Sequence, residues 1–228
     1  MNYIEKFGLN VSQKNSFDRY LELLQEWNNK INLTAITEKE EIELKHFYDS
    51  LTISEYIKSG SSLIDVGTGA GFPGIPLKIK DESIKLTLLD SLNKRLIFLE
   101  EVEKELELKN VVNIHGRAED YGKDKKYREK YDYATSRAVA RLSVLVEYLL
   151  PFVKVGGYCI CMKGPNIEEE IKDAEKAIRV LGGEIEKIDN FKLENDDNER
   201  NIIIIKKVKN TPKQYPRKAG IPTKEPIA

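Results

Sequence analysis

A glycine-rich turn carries the strongest chemical signal in the sequence. Residues 65–74 read Asp-Val-Gly-Thr-Gly-Ala-Gly-Phe-Pro-Gly, at the end of a strand predicted over residues 63–66. Glycine lets the backbone approach a ligand closely and adopt conformations closed to other residues. Dinucleotide-binding turns follow the spacing Gly-x-Gly-x-x-Gly, and Phe72 stands where their third glycine falls when the count begins at Gly67, the first glycine after the strand. The turn is therefore expected to hold an adenosine-containing ligand that has no pyrophosphate.

S-adenosyl-L-methionine fits that description, because it has an amino acid head, a sulfonium and an adenosine but no phosphate. Asp65 is expected to accept hydrogen bonds from the ligand's ammonium group, directly or through water. The backbone of Gly67, Gly69 and Gly71 is expected to lie under the methionine part. A tight turn without a ligand is the alternative, and three glycines after a buried strand disfavour it.

Polar residues follow the next three predicted strands. Asp90 is separated from the turn by about the 20 residues typical of an acid that binds ribose hydroxyls, although it also suits a helix N-cap. Ala118 and Glu119 follow the third strand, where backbone and an acid can meet an adenine edge; a solvated loop is the alternative. Arg137 closes the fourth strand and suits a carboxylate, a phosphate or a base, unless it is an ordinary surface arginine.

The elements that must position these residues alternate between strand and helix. Apolar periodicity predicts N-terminal helices, the second of them over residues 38–57. It then predicts strands over 63–66, 85–89, 111–114, 131–135, 158–162, 184–188 and 201–207, with helices over 92–106, 142–150 and 167–181. This order predicts an α/β, Rossmann-like class I methyltransferase fold: a mostly parallel seven-stranded sheet with an antiparallel edge hairpin. The expected organisation is an N-terminal helical extension (1–58), an S-adenosylmethionine-binding domain (59–207) and a basic C-terminal tail (208–228).

Composition narrows the class of protein. Two cysteines, Cys159 and Cys161, are too few for a disulfide framework and favour a reducing compartment. Residues 1–14 resemble no signal peptide, and no apolar run approaches the roughly 20 residues of a membrane span. His46 and His115 form no metal-binding pattern with the cysteines. A cytoplasmic protein without a membrane span or a metal ion is expected, and a monomer.

Nucleic-acid binding would require local positive charge, because the formal net charge is only -1. The C-terminal region supplies such a cluster: Lys206, Lys207, Lys209, Lys213, Arg217, Lys218 and Lys224. A second basic cluster over residues 123–130 is diluted by acids. The alternative is ordinary solvated surface, which suits the second cluster better than the first.

Seven segments spread over nearly the whole chain resemble those of one family. They are Trp27–Thr34, His46–Leu51, Asp65–Gly74, Asp90–Leu99, Ser136–Ala138, Lys163–Gly164 and Tyr215–Pro222. The sequence is similar to the glucose-inhibited division protein B family, the small-subunit rRNA guanine-N7 methyltransferases. The resemblance implies S-adenosylmethionine contacts at Gly67, Phe72, Ala118, Glu119 and Arg137. It also implies a partner, 16S rRNA or the small ribosomal subunit, and a guanine N7 near the decoding site as the methylated atom.

Within that resemblance, RNA contacts are expected at Lys163, Lys213, Arg217 and Lys218. Guanine N7 has an in-plane lone pair and needs no deprotonation, so catalysis depends on positioning, with Arg137 as the candidate clamp. An acceptor near the cationic product would help, but the sequence does not identify it. Other possible functions are methylation of another RNA, a protein or a small molecule, a dehydrogenase, and a non-enzymatic RNA-binding protein.

Overall fold

The centre of the computed structural model, which describes residues 3–137, 139–193 and 199–227, is one mixed sheet. Its strands within those residues are β1 (Ser62–Val66), β2 (Lys85–Asp90), β3 (Val111–His115), β4 (Tyr131–Arg137), β5 (Val153–Lys163), β6 (Gly183–Lys192) and β7 (Glu199–Lys207). The order is β3-β2-β1-β4-β5-β7-β6. Neighbouring strands are parallel except that β7 is antiparallel to β5 and β6. The predicted fold class, including the antiparallel edge hairpin, is confirmed.

Helices cover both faces of this sheet. The α-helices of the described residues are α1 (Val11–Ile31), α2 (Lys39–Ile42), α3 (Asp49–Leu51), α4 (Gly74–Lys80), α5 (Asn93–Glu105), α6 (Ala118–Tyr121), α7 (Leu142–Leu149), α8 (Glu168–Val180) and α9 (Ile221–Lys224). Short 3-10 helices lie at Tyr3–Phe7 and Ser54–Tyr56. The helix α4, which directly follows the glycine turn, was not predicted.

Side-chain alternation along the strands divides the apolar core into two layers. In β7, Ile202 and Ile204 pack in the layer that contains the N-terminal helices, whereas Ile203 and Ile205 pack in the layer that contains α7 and α8. Successive residues of a strand point to opposite faces, so a continuous apolar run is typical of a strand buried on both sides. The sheet is therefore rigidly held, and its carboxyl ends form a fixed platform.

The prediction of one continuous helix over residues 38–57 is wrong. The chain forms α2, a π-helical segment (Glu43–Tyr48), α3 and a 3-10 turn in succession. The wider π winding is rare and often marks a functional site, and apolar periodicity gives no sign of it. Here it directs His46 and Asp49 toward the carboxyl end of β4.

The C-terminal residues 208–227 pack against the core. The Arg128 guanidinium donates to the carbonyls of Thr211 and Tyr215. Ile227 is buried with α7 and α8. Lys207, counted among the basic residues that suit phosphate contact, is fully buried, and its Nζ donates to the Leu150 carbonyl. Burial lowers the Lys207 pKa to about 8. The expectation that Lys207 offers surface charge is therefore wrong.

Candidate functional site

Two adjoining cavities open at the carboxyl ends of β1, β2 and β4. The larger has a volume of about 680 Å³ and the smaller about 250 Å³. Gly67, Asp90, Ser91 and Val139 line both. In open α/β sheets, ligands bind at the carboxyl ends of the strands near the point where the strand order reverses. Here that point lies between β1 and β4, directly beneath the shared wall of the two cavities.

The structure brings most of the predicted cofactor residues together around these cavities. Gly67, Gly69, Phe72, Asp90 and Arg137 line the larger cavity. The smaller cavity is lined by Ala118 and Glu119, with Gly67 and Asp90 again. The two cavities together therefore present a glycine backbone at one end and the Ala118–Glu119 segment at the other.

Asp65 and Gly71 lie behind the loop, outside the walls of both cavities. The Asp65 side chain is fully buried, and its Oδ2 accepts from the Thr68 hydroxyl (2.7 Å) and the Gly74 backbone N–H (2.9 Å). Burial raises the Asp65 pKa to about 6. Asp65 thus occupies the N-terminus of α4, the position at which a dinucleotide turn binds pyrophosphate. This observation explains physically why the turn does not suit a phosphate ligand.

Asp90 joins the glycine loop to the end of β2. Its Oδ2 accepts from the Gly69 backbone N–H (2.9 Å), its Oδ1 accepts from the Leu92 N–H (2.9 Å), and Arg95 lies 3.2 Å from Oδ2. The carboxylate is almost completely buried, yet it lines both cavities. Asp90 therefore fixes the loop and also borders the space where a ribose is expected.

Arg137 joins the end of β4 to the N-terminal helices. Its Nη1 donates to the Lys45 carbonyl and to Asp49 Oδ2, both at 3.0 Å, and its Nη2 contacts His46 Nδ1 at 3.1 Å. The guanidinium also lies over the Phe72 ring, 5.0 Å from its centroid. Bidentate and stacked contacts of this kind need the planar guanidinium fork and are poorly replaced by lysine. Arg137 is consequently fixed rather than free on the surface.

His46 is held in one tautomer by its neighbours. Its ring stacks on Phe72 with centroids 4.6 Å apart, and its Nε2 lies 2.8 Å from the Thr34 hydroxyl. The Arg137 guanidinium can only donate hydrogen bonds, so His46 Nδ1 must accept from it. The ring proton of the neutral imidazole is therefore on Nε2. Burial, together with the Arg137 charge, lowers the His46 pKa to about 3. The imidazole is therefore neutral at physiological pH.

The lowered pKa of His46 makes a contribution to the pH dependence of the protein's stability. Between pH 3 and 6.5 the unfolded chain binds a proton at His46 that the folded chain does not, so stability falls as pH falls through that range. We expect His46 to contribute a loss of up to about 1.4 kcal/mol per pH unit. Urea unfolding of the wild type and of His46→Asn at pH 7.5, 6.5 and 5.5 measures it.

Comparison of the two proteins isolates the contribution of His46. The raised pKa of Asp65 changes stability with pH in the opposite direction, but it does so equally in both proteins and cancels in the difference. The wild-type advantage over His46→Asn should shrink as the pH is lowered. An advantage that stays constant from pH 7.5 to 5.5 would show that the folded imidazole titrates at its ordinary value.

The four predicted RNA-contact residues differ in exposure and in pairing. Lys213 and Lys218 are exposed. The Lys163 ammonium borders the larger cavity, donates to the Ala140 carbonyl (2.7 Å) and pairs with Glu170 (2.9 Å). The Arg217 guanidinium is paired with the fully buried Glu147. Lys163 and Arg217 therefore already have structural partners.

Sequence reasoning missed two kinds of site residue. His46 and Asp49 were noted only as part of a shared segment, and their link to Arg137 is a tertiary contact that no local pattern reveals. Arg200 and Asn201 of β7 also line the larger cavity, because the antiparallel strand β7 lies beside β5. Ala138, the last residue of the predicted Ser136–Ala138 motif, lies outside the described residues.

Two features are lacking in the part of the chain that the structure describes. No helix there is long and apolar enough to cross a membrane. Likewise, the described histidine, cysteine, aspartate and glutamate side chains form no group of three or more that could hold a metal ion.

Solved structures of methyltransferases share this fold. Precorrin-6y C5,15-methyltransferase from Geobacter metallireducens matches with a TM-score of 0.52 and 14% identity, over 75% of this chain and 90% of its own. M. jannaschii TYW2, solved in complex with AdoMet, matches with a TM-score of 0.56 and 15% identity, over 71% and 76%. At such identities the likeness shows the fold alone. The fold is therefore the Rossmann-like fold that these methyltransferases share.

The chain belongs to the rRNA small subunit methyltransferase G family, whose model matches residues 13–203. It is 59% identical over 226 residues to Ribosomal RNA small subunit methyltransferase G of Alkaliphilus oremlandii, covering 96% of this chain and 95% of that protein. The same-named protein of Clostridium tetani is 53% identical over 222 residues, covering 96% and 93%. The resemblance drawn from the seven segments is confirmed, and the dehydrogenase alternative is not supported.

Proposed function

We propose that this protein transfers a methyl group from S-adenosyl-L-methionine to N7 of a guanine in 16S rRNA, within the small ribosomal subunit. The observation that carries the proposal is the pair of joined cavities at the switch point of a methyltransferase sheet, lined by a phosphate-unsuited glycine loop. The names of the family and of its relatives, which specify small-subunit rRNA, support the RNA as the methyl acceptor.

The residues around the cavities fit S-adenosylmethionine. Gly69 has a φ of +61°, and a Cβ built there would meet nothing within 4 Å, so its backbone lies bare beside the cavity. Asp65 Oδ1 is buried and has no hydrogen-bond partner among the described residues, which leaves it able to accept from an ammonium through water. We infer that Asp90 binds the ribose hydroxyls and that Ala118 and Glu119 contact the adenine, since all three residues line the smaller cavity.

Methyl transfer here requires positioning more than acid–base chemistry. When bound, S-adenosylmethionine supplies an electrophilic methyl carbon: as guanine N7 bonds to it, the carbon–sulfur electron pair returns to sulfur and the positive charge passes to the guanine. Because N7 already has a free lone pair, the protein needs no general base. Arg137 and the Phe72–His46 stack hold the rim between cofactor and base rigid, and such preorganisation lowers the barrier.

Charge around the larger cavity favours an RNA substrate. The cations that line it are Lys45, Arg95, Arg137, Lys163 and Arg200, whereas its acids are Asp49 and Asp90. His46 is neutral, and Lys45 and Lys163 are paired with Glu41 and Glu170, so the described residues at the cavity keep a small excess of positive charge. A locally positive mouth on a protein of formal net charge -1 suits the phosphates that flank a target base.

Paired glycine substitutions should separate the cofactor contact from loop packing. A Cβ on Gly71 would lie 2.7–2.8 Å from Tyr20, Ile75 and Leu99, so Gly71→Ala should lower the free energy of unfolding by roughly 2–4 kcal/mol. Gly69→Ala meets only the left-handed backbone penalty of about 1 kcal/mol. We expect Gly69→Ala to weaken S-adenosylhomocysteine binding at least about tenfold, equal to 1.4 kcal/mol.

Urea unfolding measures the loss of stability in each variant, and titration calorimetry measures the affinity of each variant for S-adenosylhomocysteine. Equal loss of stability and unchanged ligand affinity in Gly69→Ala would remove the glycine loop from the proposed cofactor site.

Substitution of Lys213 and Lys218 by alanine tests whether the C-terminal residues contact phosphate. Truncation at residue 208 would be uninformative, since it would also remove the Thr211 and Tyr215 carbonyls that Arg128 binds. If both lysines contact single-stranded RNA, the slope of log binding constant against log salt should become shallower by about 1.4. Filter binding of small subunits over a range of salt concentrations measures it, and an unchanged slope would exclude both contacts.

The decisive experiment is labelled methyl transfer to small subunits that lack the modification, followed by mapping of the labelled nucleotide by nuclease digestion and mass spectrometry. One 7-methylguanine in 16S rRNA is the expected product. Label in protein, in another RNA or on another base atom would instead support the alternative acceptors.

A further inference from the structure

One carboxylate oxygen of Asp49 is buried and receives no hydrogen bond from the part of the chain that the structure describes. The residue is 5% exposed and lines the larger cavity. Its Oδ2 accepts from Arg137 at 3.0 Å, but its Oδ1 receives no hydrogen bond from the described residues. Arg200 Nε lies 3.5 Å from Oδ1, near enough for charge attraction but outside hydrogen-bonding geometry. An acceptor in this state, in the wall of a cavity, is placed for a donor brought by a ligand.

The free-energy cost of an unpaired buried acceptor also supports a ligand-binding role for Asp49 Oδ1. A buried acceptor left without a donor is destabilising, and native structures keep few of them, mostly at functional sites. The other buried carboxylate of this cavity, Asp90, receives hydrogen bonds from two backbone N–H groups. Asp49 differs because its Oδ1 receives no hydrogen bond from the described residues, although the residue lines the same cavity as Arg137, His46 and Arg200.

We propose that Asp49 Oδ1 accepts a hydrogen bond from the exocyclic amino group of the target guanine. The proposal rests on the proposed function. With guanine N7 directed at the methyl group, O6 is the neighbouring acceptor and the amino group is the donor on the far side of the ring. Arg137 has five N–H donors, of which three are used within the protein, so it retains donors for O6.

This arrangement distinguishes the two purines. Adenine has an amino group where guanine has O6, so it would set a donor against Arg137 and leave Asp49 without one. A site built to hydrogen-bond a substrate group rejects analogues that lack it, because its own polar atoms are then left unpaired. The Asp49 carboxylate also lies near a ring that gains positive charge during transfer, and fixed charges directed at developing charge stabilise the transition state.

Inosine tests this one hydrogen bond, because it is guanosine without the exocyclic amino group. Wild-type protein should methylate small subunits reconstituted with inosine at the mapped position with a kcat/KM roughly 10-fold or more below that for guanosine. In Asp49→Asn the amide oxygen remains opposite Arg137, so its NH₂ takes the place of Oδ1. That variant should be slow on guanosine and show no preference for guanosine over inosine.

Two further measurements separate recognition from structural damage. Asp132, at the opposite end of β4, is also an ion-paired carboxylate, with Lys154. Asp132→Asn should keep the wild-type preference for guanosine. S-adenosylhomocysteine affinity of Asp49→Asn, measured by calorimetry, should stay within about threefold of wild type, since Oδ1 is assigned to the base.

Several results would overturn the proposal. Guanosine preference retained in Asp49→Asn, or a wild type that methylates both particles equally, would reject it while leaving the proposed function intact. Loss of S-adenosylhomocysteine binding in Asp49→Asn would show that Asp49 acts only through Arg137. A wild type that methylates neither particle would reject the proposed function itself, and this inference with it.

Discussion

Arg137→Ala should reduce methyl transfer by roughly 100-fold or more, because displacement of a positioning group by about 1 Å has that effect. The substitution removes hydrogen bonds to Lys45, His46 and Asp49 at once. It also leaves the Asp49 carboxylate buried without its partner at 3.0 Å. Removal of one member of a buried ion pair costs about 3–5 kcal/mol, so a loss of stability of that order should accompany the loss of activity.

Labelled methyl transfer, calorimetry with S-adenosylhomocysteine and urea unfolding measure the three consequences. Arg137→Lys keeps the charge but loses the fork, and it should retain more stability than Arg137→Ala while remaining impaired in transfer. Arg19→Ala is the matched control, since Arg19 is also an ion-paired arginine, but it lies on the surface of α1 and its partners are Glu22, Glu26 and Glu105. Near-normal transfer by Arg137→Ala would remove Arg137 from the site.

Arg217→Ala should destabilise the protein by about 3–5 kcal/mol, although the sequence assigns Arg217 to RNA contact. Glu147 in α7 is fully buried, and it accepts from Arg217 Nε (3.0 Å), Nη2 (2.7 Å) and the Arg217 backbone N–H (2.7 Å). These hydrogen bonds attach the C-terminal residues to the core. Without the guanidinium, a carboxylate remains inside the protein with only the backbone donor.

Urea unfolding of Arg217→Ala, Lys213→Ala and the double variant Glu147→Gln/Arg217→Ala tests this prediction. Lys213 is exposed, so its loss should change stability by less than about 0.5 kcal/mol. The double variant should recover part of the stability, because a neutral amide is less costly to bury than an unpaired charge. An Arg217→Ala protein as stable as Lys213→Ala would return Arg217 to the group of free surface cations.

Secondary structure could be predicted from the sequence where it depends on the pattern of neighbouring residues. The apolar run within residues 201–207 predicted a strand, and the glycine turn predicted a ligand loop, because both patterns are set by neighbours in sequence. The π-helical segment was not readable, since π winding is stabilised by contacts such as those of His46 with Phe72 and Thr34, which come from other elements.

The sequence by itself determined the family, the mostly parallel sheet implied by strand–helix alternation and several of the residues that border the cavities. Only the tertiary structure decided the role of each charged group. Asp65 accepts from the Gly74 backbone N–H at the start of α4, Arg217 pairs with the buried Glu147, and Asp49 binds Arg137 while its Oδ1 receives no hydrogen bond from the described residues. The reason is that a charge has no fixed function in a sequence: its burial and its partners, which come from residues distant in the chain, decide whether it binds a ligand or stabilises the fold.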